Sequence, residues 1–173
     1  MRLFLASFVP KEIARQLAEA QKALKGAWKP TRPDQMHVTL YFLGDVDEAE
    51  LGRIRGVARD VAGEVTPFTA RIKGTGYFPP AGAPRVWFAK AEGEGFFELA
   101  EKLRLALPEF DDGKPFKAHV TLARKKGPAP RVPPVVFDLS YPVQRFDLVQ
   151  SRLEKTGPRY TILESFDLKG AKT

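Results

Sequence analysis

The 173-residue sequence has no cysteine, and only two histidines, two methionines and two tryptophans. Without a thiol it can form no disulfide, no thiolate nucleophile and no cysteine-ligated zinc site. No apolar run approaches the ~20 residues that a helical membrane crossing needs. The opening Met1–Pro10 is apolar but short, ends at Pro10 without a small-residue cleavage site, and leads into an amphipathic helix. It therefore reads as a first strand rather than a signal sequence, and the protein as cytoplasmic. Acidic residues are outnumbered, 21 Asp and Glu against 28 Lys and Arg, giving a net charge of +7. That balance suits a polyanionic partner such as nucleic acid. The missing cysteine together with 15 prolines is a composition that suits a thermophile.

What is there fits one domain, residues 1–173, built of two lobes; 13 Phe and 43% hydrophobic residues supply a core. Both histidines sit in the same tetrapeptide, His37-Val38-Thr39-Leu40 and, 82 positions later, His119-Val120-Thr121-Leu122. Chance recurrence of a fixed four-residue string in such a chain has a probability of roughly 0.1%, so the pair reads as an internal repeat. Arg2-Leu3-Phe4-Leu5-Ala6 and Arg85-Val86-Trp87-Phe88-Ala89 precede the two copies, each followed by a helical stretch. The repeat units are thus strand–helix–strand, about 2–44 and 85–124.

Periodicity predicts strands over 2–8, 35–43, 66–77, 85–91, 116–124, 144–154 and 159–168, and helices over 10–24, 47–62 and 96–107. The proline-rich segments 28–34, 78–84 and 125–134 read as loops. The sum is an α+β fold: two lobes related by a pseudo-two-fold, with antiparallel sheets facing a central cleft and helices outside.

In a strand, side chains alternate faces. His37 and Thr39 then share one face while Met36, Val38, Leu40 and Phe42 share the other, which makes Phe42 a packing residue. His119 and Thr121 likewise oppose Ala118, Val120 and Leu122. Two imidazole–hydroxyl pairs facing one cleft suit in-line phosphoryl chemistry. One histidine takes a proton, the other gives one, and the hydroxyls hold phosphate oxygens. A zinc site is the competing use of two histidines, but third and fourth ligands are missing, so neither metal nor cofactor is expected.

The doubled motif resembles the paired His-x-Thr-x signature of the two-histidine phosphoesterase superfamily. Further features are similar to its bacterial and archaeal RNA 2',3'-cyclic phosphodiesterases, also called 2'-5' RNA ligases. These are the opening Arg2-Leu3-Phe4-Leu5-Ala6, Phe42-Leu43-Gly44, Pro84-Arg85-Val86-Trp87, Ala123-Arg124 and Gly157-Pro158-Arg159-Tyr160. The resemblance implies hydrolysis of RNA 2',3'-cyclic phosphate ends to 2'-phosphomonoesters, tRNA-derived ends included, and a reversible 2'-5' ligation. It implies His37 as proton donor, His119 as proton acceptor, and Thr39 and Thr121 as phosphate ligands.

Arg124 is a candidate further phosphate ligand, because a guanidinium fork matches phosphate oxygens. Strict alternation puts it on the apolar face, so the strand must end or bulge near Ala123 for it to reach the cleft. Tyr41, on the His37 side by parity, is a candidate base-stacking residue. Tyr77, Phe78 and Tyr160 are weaker candidates of that kind, and Lys125, Lys126, Arg131 and Arg152 could follow an RNA backbone. The alternatives are a non-catalytic RNA-end-binding module, and a related phosphoesterase acting on a small cyclic nucleotide or a 2'-5' oligonucleotide. With no apolar surface stripe left over, a monomer is expected.

Overall fold

Alternating and helical stretches resolve, in a computed structural model describing residues 1–171, into nine strands and three helices. In chain order they are β1 (Arg2–Phe8), α1 (Lys11–Ala20), β2 (Trp28–Pro30), β3 (His37–Asp45), α2 (Leu51–Glu64) and β4 (Phe68–Phe78). They continue with β5 (Val86–Glu92), α3 (Glu94–Ala106), β6 (His119–Lys125), β7 (Val136–Val143), β8 (Arg145–Glu154) and β9 (Gly157–Asp167). Pro10 sits just ahead of α1 rather than inside it, and its carbonyl accepts the Ala14 N–H at 2.8 Å. There its missing N–H costs no helical bond. No helix among the described residues is long and apolar enough to cross a membrane.

The strands form one curled antiparallel sheet in the order β7-β4-β5-β6-β3-β1-β8-β9, with β2 added to β6. This order is symmetric about the β6/β3 junction: β5 answers β1, β4 answers β8 and β7 answers β9. The two half-sheets are joined at that junction by a single register pair, Val38 opposite Val120. Trp87, Phe96, Phe146, Leu3, Leu5, Leu99 and Leu103 fill the core without measurable exposure. Helix α3 packs on α2 and on β3, and α2 packs also on β8 and β9. A helix of one repeat unit thus covers the sheet of the other half.

Two strands escape the sequence reading. Residues 28–30, assigned to a loop, pair with Ala123–Lys125 as β2. Residues 136–143 carry alternation but follow Pro134 and include Pro142, which weigh against a strand. As β7 they pair only with β4, at the sheet edge, where proline is tolerated. The flank comparison is corrected by one residue. Phe8 pairs with His37 and Lys90 with His119, Ala6 with Thr39 and Phe88 with Thr121. Phe4 therefore corresponds to Val86, not to Trp87, and the whole strand pair repeats at the spacing of the histidines. A one-residue slip exchanges the faces of every side chain, so the correction decides which residues reach the cleft.

Candidate active site

Val38 and Val120 are both fully buried and meet where β3 crosses β6. Their neighbours His37, Thr39, His119 and Thr121 must therefore project to the opposite, concave face, where all four are partly exposed. Antiparallel pairing about that point sets His37 on the side of Thr121 and Thr39 on the side of His119. The four line one cavity of about 360 Å³, shared with Arg124, Phe42 and Tyr160.

Bulges decide what else enters. The β1/β3 register passes from Ala6–Thr39 to Leu5–Tyr41, leaving Leu40 as the extra residue. The β5/β6 register passes from Phe88–Thr121 to Trp87–Ala123, leaving Leu122. The fourth residue of each tetrapeptide is thus a bulge, and both leucines point into the core. Beyond a bulge the alternation inverts. Arg124 turns to the cleft by this means, as its parity required. The same inversion in the first copy overturns two readings. Phe42 is no core residue: its ring is 48% exposed on the cavity wall, with the Arg2 guanidinium 5.1 Å from its centroid. Tyr41 does not line the cavity. It lines an adjoining groove, its hydroxyl donates to the Leu107 carbonyl at 2.6 Å, and its ring stands edge-on to Phe110. Burial, with the charges of Asp111 and Glu109, pushes its pKa up to about 12.

The imidazoles are held by matching contacts. Nδ1 of His37 lies 2.7 Å from the Gln35 carbonyl, and Nδ1 of His119 2.7 Å from the Lys117 carbonyl. A carbonyl only accepts, so each Nδ1 carries the hydrogen and each neutral ring presents a bare Nε2. Nε2 of His37 is 3.1 Å from the Thr39 hydroxyl, which can donate to it. Phe4, Phe8 and Tyr160 surround the His37 ring at centroid distances of 5.1, 5.5 and 5.5 Å. Phe78 and Phe88 flank His119 at 5.0 and 5.5 Å.

These walls set the proton affinities. Burial pushes His37 down to about 4; the Gln35 carbonyl opposes this, while the charges of His119 and Arg124 add to it. His119 is lowered as well, by burial first and by Arg124, against the Lys117 carbonyl. At neutral pH both rings in the free cleft are neutral beside a fixed positive charge, an arrangement that an anion would relieve.

Gln35, Lys29 and Arg2 line the cavity without having been singled out from sequence. Gln35 Nε2 donates to the Pro158 carbonyl at 2.6 Å and Lys29 Nζ to the Thr156 carbonyl at 3.2 Å. Together they hold the β8–β9 turn against the cleft and so place Tyr160 beside His37. Long-range contacts of this kind leave no local signal. Lys125, Lys126, Arg131 and Arg152 do not line the cavity. Among the described residues no group of three or more His, Asp or Glu side chains is placed to hold a metal ion.

Comparison with known proteins agrees with this fold. The family model of LigT-like phosphoesterases matches residues 8–88. An RNA 2',3'-cyclic phosphodiesterase of Thermus thermophilus is 51% identical over 98% of this chain and 91% of its own length. The crystal structure of TT0787 of Thermus thermophilus superposes with a TM-score of 0.95 at 50% identity, covering 99% of this chain and all of that one. Escherichia coli LigT complexed with 3'-AMP superposes with a TM-score of 0.82 at 30% identity, covering 96% of this chain and 97% of that one.

Proposed function

The chain belongs to the LigT-like phosphoesterases, and from that premise we propose that it opens 2',3'-cyclic phosphate ends of RNA to 2'-phosphomonoesters, acting as a monomer without a metal. The observation that carries the reading is the Val38–Val120 crossing, which gathers two histidines and two threonines on one concave face.

His119, the less enclosed ring, acts as base on the side from which water arrives. Its bare Nε2 takes the water proton as oxygen attacks phosphorus, and the P–O3' bond breaks. His37, once protonated, gives its Nε2 proton to the departing O3'; its low proton affinity makes it a strong acid for that step. Thr39, Thr121 and Arg124 hold the equatorial oxygens, where negative charge grows in the transition state. Phe42 offers an exposed ring face on which the terminal base can stack. The same step with a 5'-hydroxyl in place of water as the nucleophile gives a 2'-5' linkage, so joining competes with opening at the same site, and its own reversal cleaves that linkage.

The test is phosphorus NMR of an RNA ending in 2',3'-cyclic phosphate, incubated with the protein and a chelator. The expected product is the 2'-phosphomonoester, lost in His37→Ala and His119→Ala proteins that keep their circular dichroism. Salt-sensitive binding without turnover would replace the enzyme by an RNA-end-binding module.

A further inference from the structure

The two halves differ most at the strand partner of each histidine. Phe8 occupies the position beside His37, its ring centroid 5.5 Å from that of the imidazole. Its counterpart beside His119 is Lys90, which is exposed and borders a groove that reaches His119. From His119 a groove of about 590 Å³ runs along β4 and β5. Phe78 and Phe88 stack in it with centroids 4.1 Å apart. The Lys117 ammonium stands 5.8 Å from the Phe78 ring, and the Arg131 guanidinium 4.9 Å from the Tyr77 ring. Three cations, Lys90, Lys117 and Arg131, border the groove against one carboxylate, Glu92. Phe88 is buried beneath Phe78, and Arg131 is tied to the Pro79 and Gly82 carbonyls. Phe78 with the exposed Lys90 and Lys117 therefore supplies the aromatic-and-cation pattern of single-stranded nucleic-acid sites, in which a base stacks and the backbone follows the charge.

We propose that this groove is an acceptor subsite that takes a second, single-stranded RNA segment and presents its 5'-hydroxyl to His119. The inference rests on the proposed acid–base reading, which places the base, and hence the entering nucleophile, at His119. In the step, the 5'-oxygen bonds to phosphorus, its proton passes to His119 Nε2, the P–O3' bond breaks, and O3' takes the proton from His37. One cyclic ester is exchanged for one 2'-5' diester, so atoms and charge balance without a further reactant. Pseudo-symmetry sharpens the assignment, because the same register position carries an aromatic ring against the histidine in one half and an exposed cation in the other.

The experiment supplies an RNA with a 2',3'-cyclic phosphate end and a second RNA with a 5'-hydroxyl, and measures the ratio of joined to hydrolysed product. Both products use both histidines, so the ratio cancels any effect on the chemical step. Lys90→Ala is expected to lower the ratio about fivefold, the upper range for an exposed charge pair. It should reduce the salt slope of acceptor half-saturation by about 0.7, the loss of one single-strand phosphate contact. Hydrolysis of a cyclic mononucleotide should stay within about twofold of wild type. An unchanged ratio and salt slope in Lys90→Ala would overturn the subsite. So would a wild-type protein that hydrolyses the cyclic end but joins nothing at saturating acceptor, with the hydrolytic reading left standing. A protein that neither hydrolyses nor joins removes the reading beneath the subsite as well.

Discussion

A histidine whose proton affinity is pushed down to about 4 is a poor carrier of the proton that the proposed mechanism has it donate at neutral pH. The cleft itself resolves this. A phosphate anion about 4 Å from the imidazolium, at an effective dielectric of about 20, stabilises the charged ring by about 4 kcal/mol. At 1.36 kcal/mol for each tenfold change in proton affinity, that is close to a factor of 10³. Binding of the anion should thus carry the His37 titration from about 4 to about 7. The free protein should hold His37 neutral with its hydrogen on Nδ1, and substrate should bring the proton onto Nε2. With two histidines in the chain, nitrogen-detected NMR shows two imidazole systems, assigned by a His119→Asn protein. The measurement is the pH titration of both rings with and without a 2'-phosphomonoester. The sign is fixed: a ligand that favours the protonated ring binds more tightly as pH falls from the bound toward the free titration point. A His37 ring that titrates near 6.5 in the free protein, or that fails to move when the ligand binds, would refute the reasoning.

Arg124 reaches the cleft through the Leu122 bulge, and in the proposed mechanism it makes a charge-assisted contact to phosphate. Arg124→Ala should lower kcat/KM by about 10²-fold, corresponding to ~3 kcal/mol, and should raise the His37 titration point in the free protein by removing a neighbouring positive charge. Acid should also weaken the fold. His37 titrates below its unfolded value, so its share of stability is fully present above pH 6.5 and is lost as pH falls through about 4. That share is about 3 kcal/mol, and His119 acts in the same direction. Urea unfolding of wild type and His37→Asn at pH 7 and pH 4 should show a smaller acid loss in the variant.

The doubled tetrapeptide made the half-sheets, the cleft and the facing imidazoles legible in the sequence, because alternation and repetition are local properties of the chain. What alternation alone could not supply was the point at which it fails. Arg124 exposed the problem, since a guanidinium on a core face demanded a bulge. The identical bulge at Leu40 followed from the repeat but carried no such sign: Phe42 and Tyr41 are both plausible on either face, and their places were exchanged. The flanks misled by one residue because Arg2 and Arg85 look alike, while pairing follows the strand and not the composition. Gln35 and Lys29 act on residues more than a hundred positions away, and β7 lies among prolines; neither leaves a local pattern.

The exchange of parts between the halves has a consequence for how the enzyme comes into being. β1 is flanked in the sheet by β3 and β8, and Tyr160 of β9 packs on His37. Synthesis delivers β1 among the first elements and its second neighbour among the last, so the early strand must wait with an open edge while everything between is made. The half that carries His119, by contrast, can close on strands spanning 68–143. During translation the His119 side of the cleft can form ahead of the His37 side, where β1 lacks its second neighbour and His37 lacks the Tyr160 ring until β8 and β9 have emerged. Catalytic competence is in this sense a late signal that the two halves have found one another.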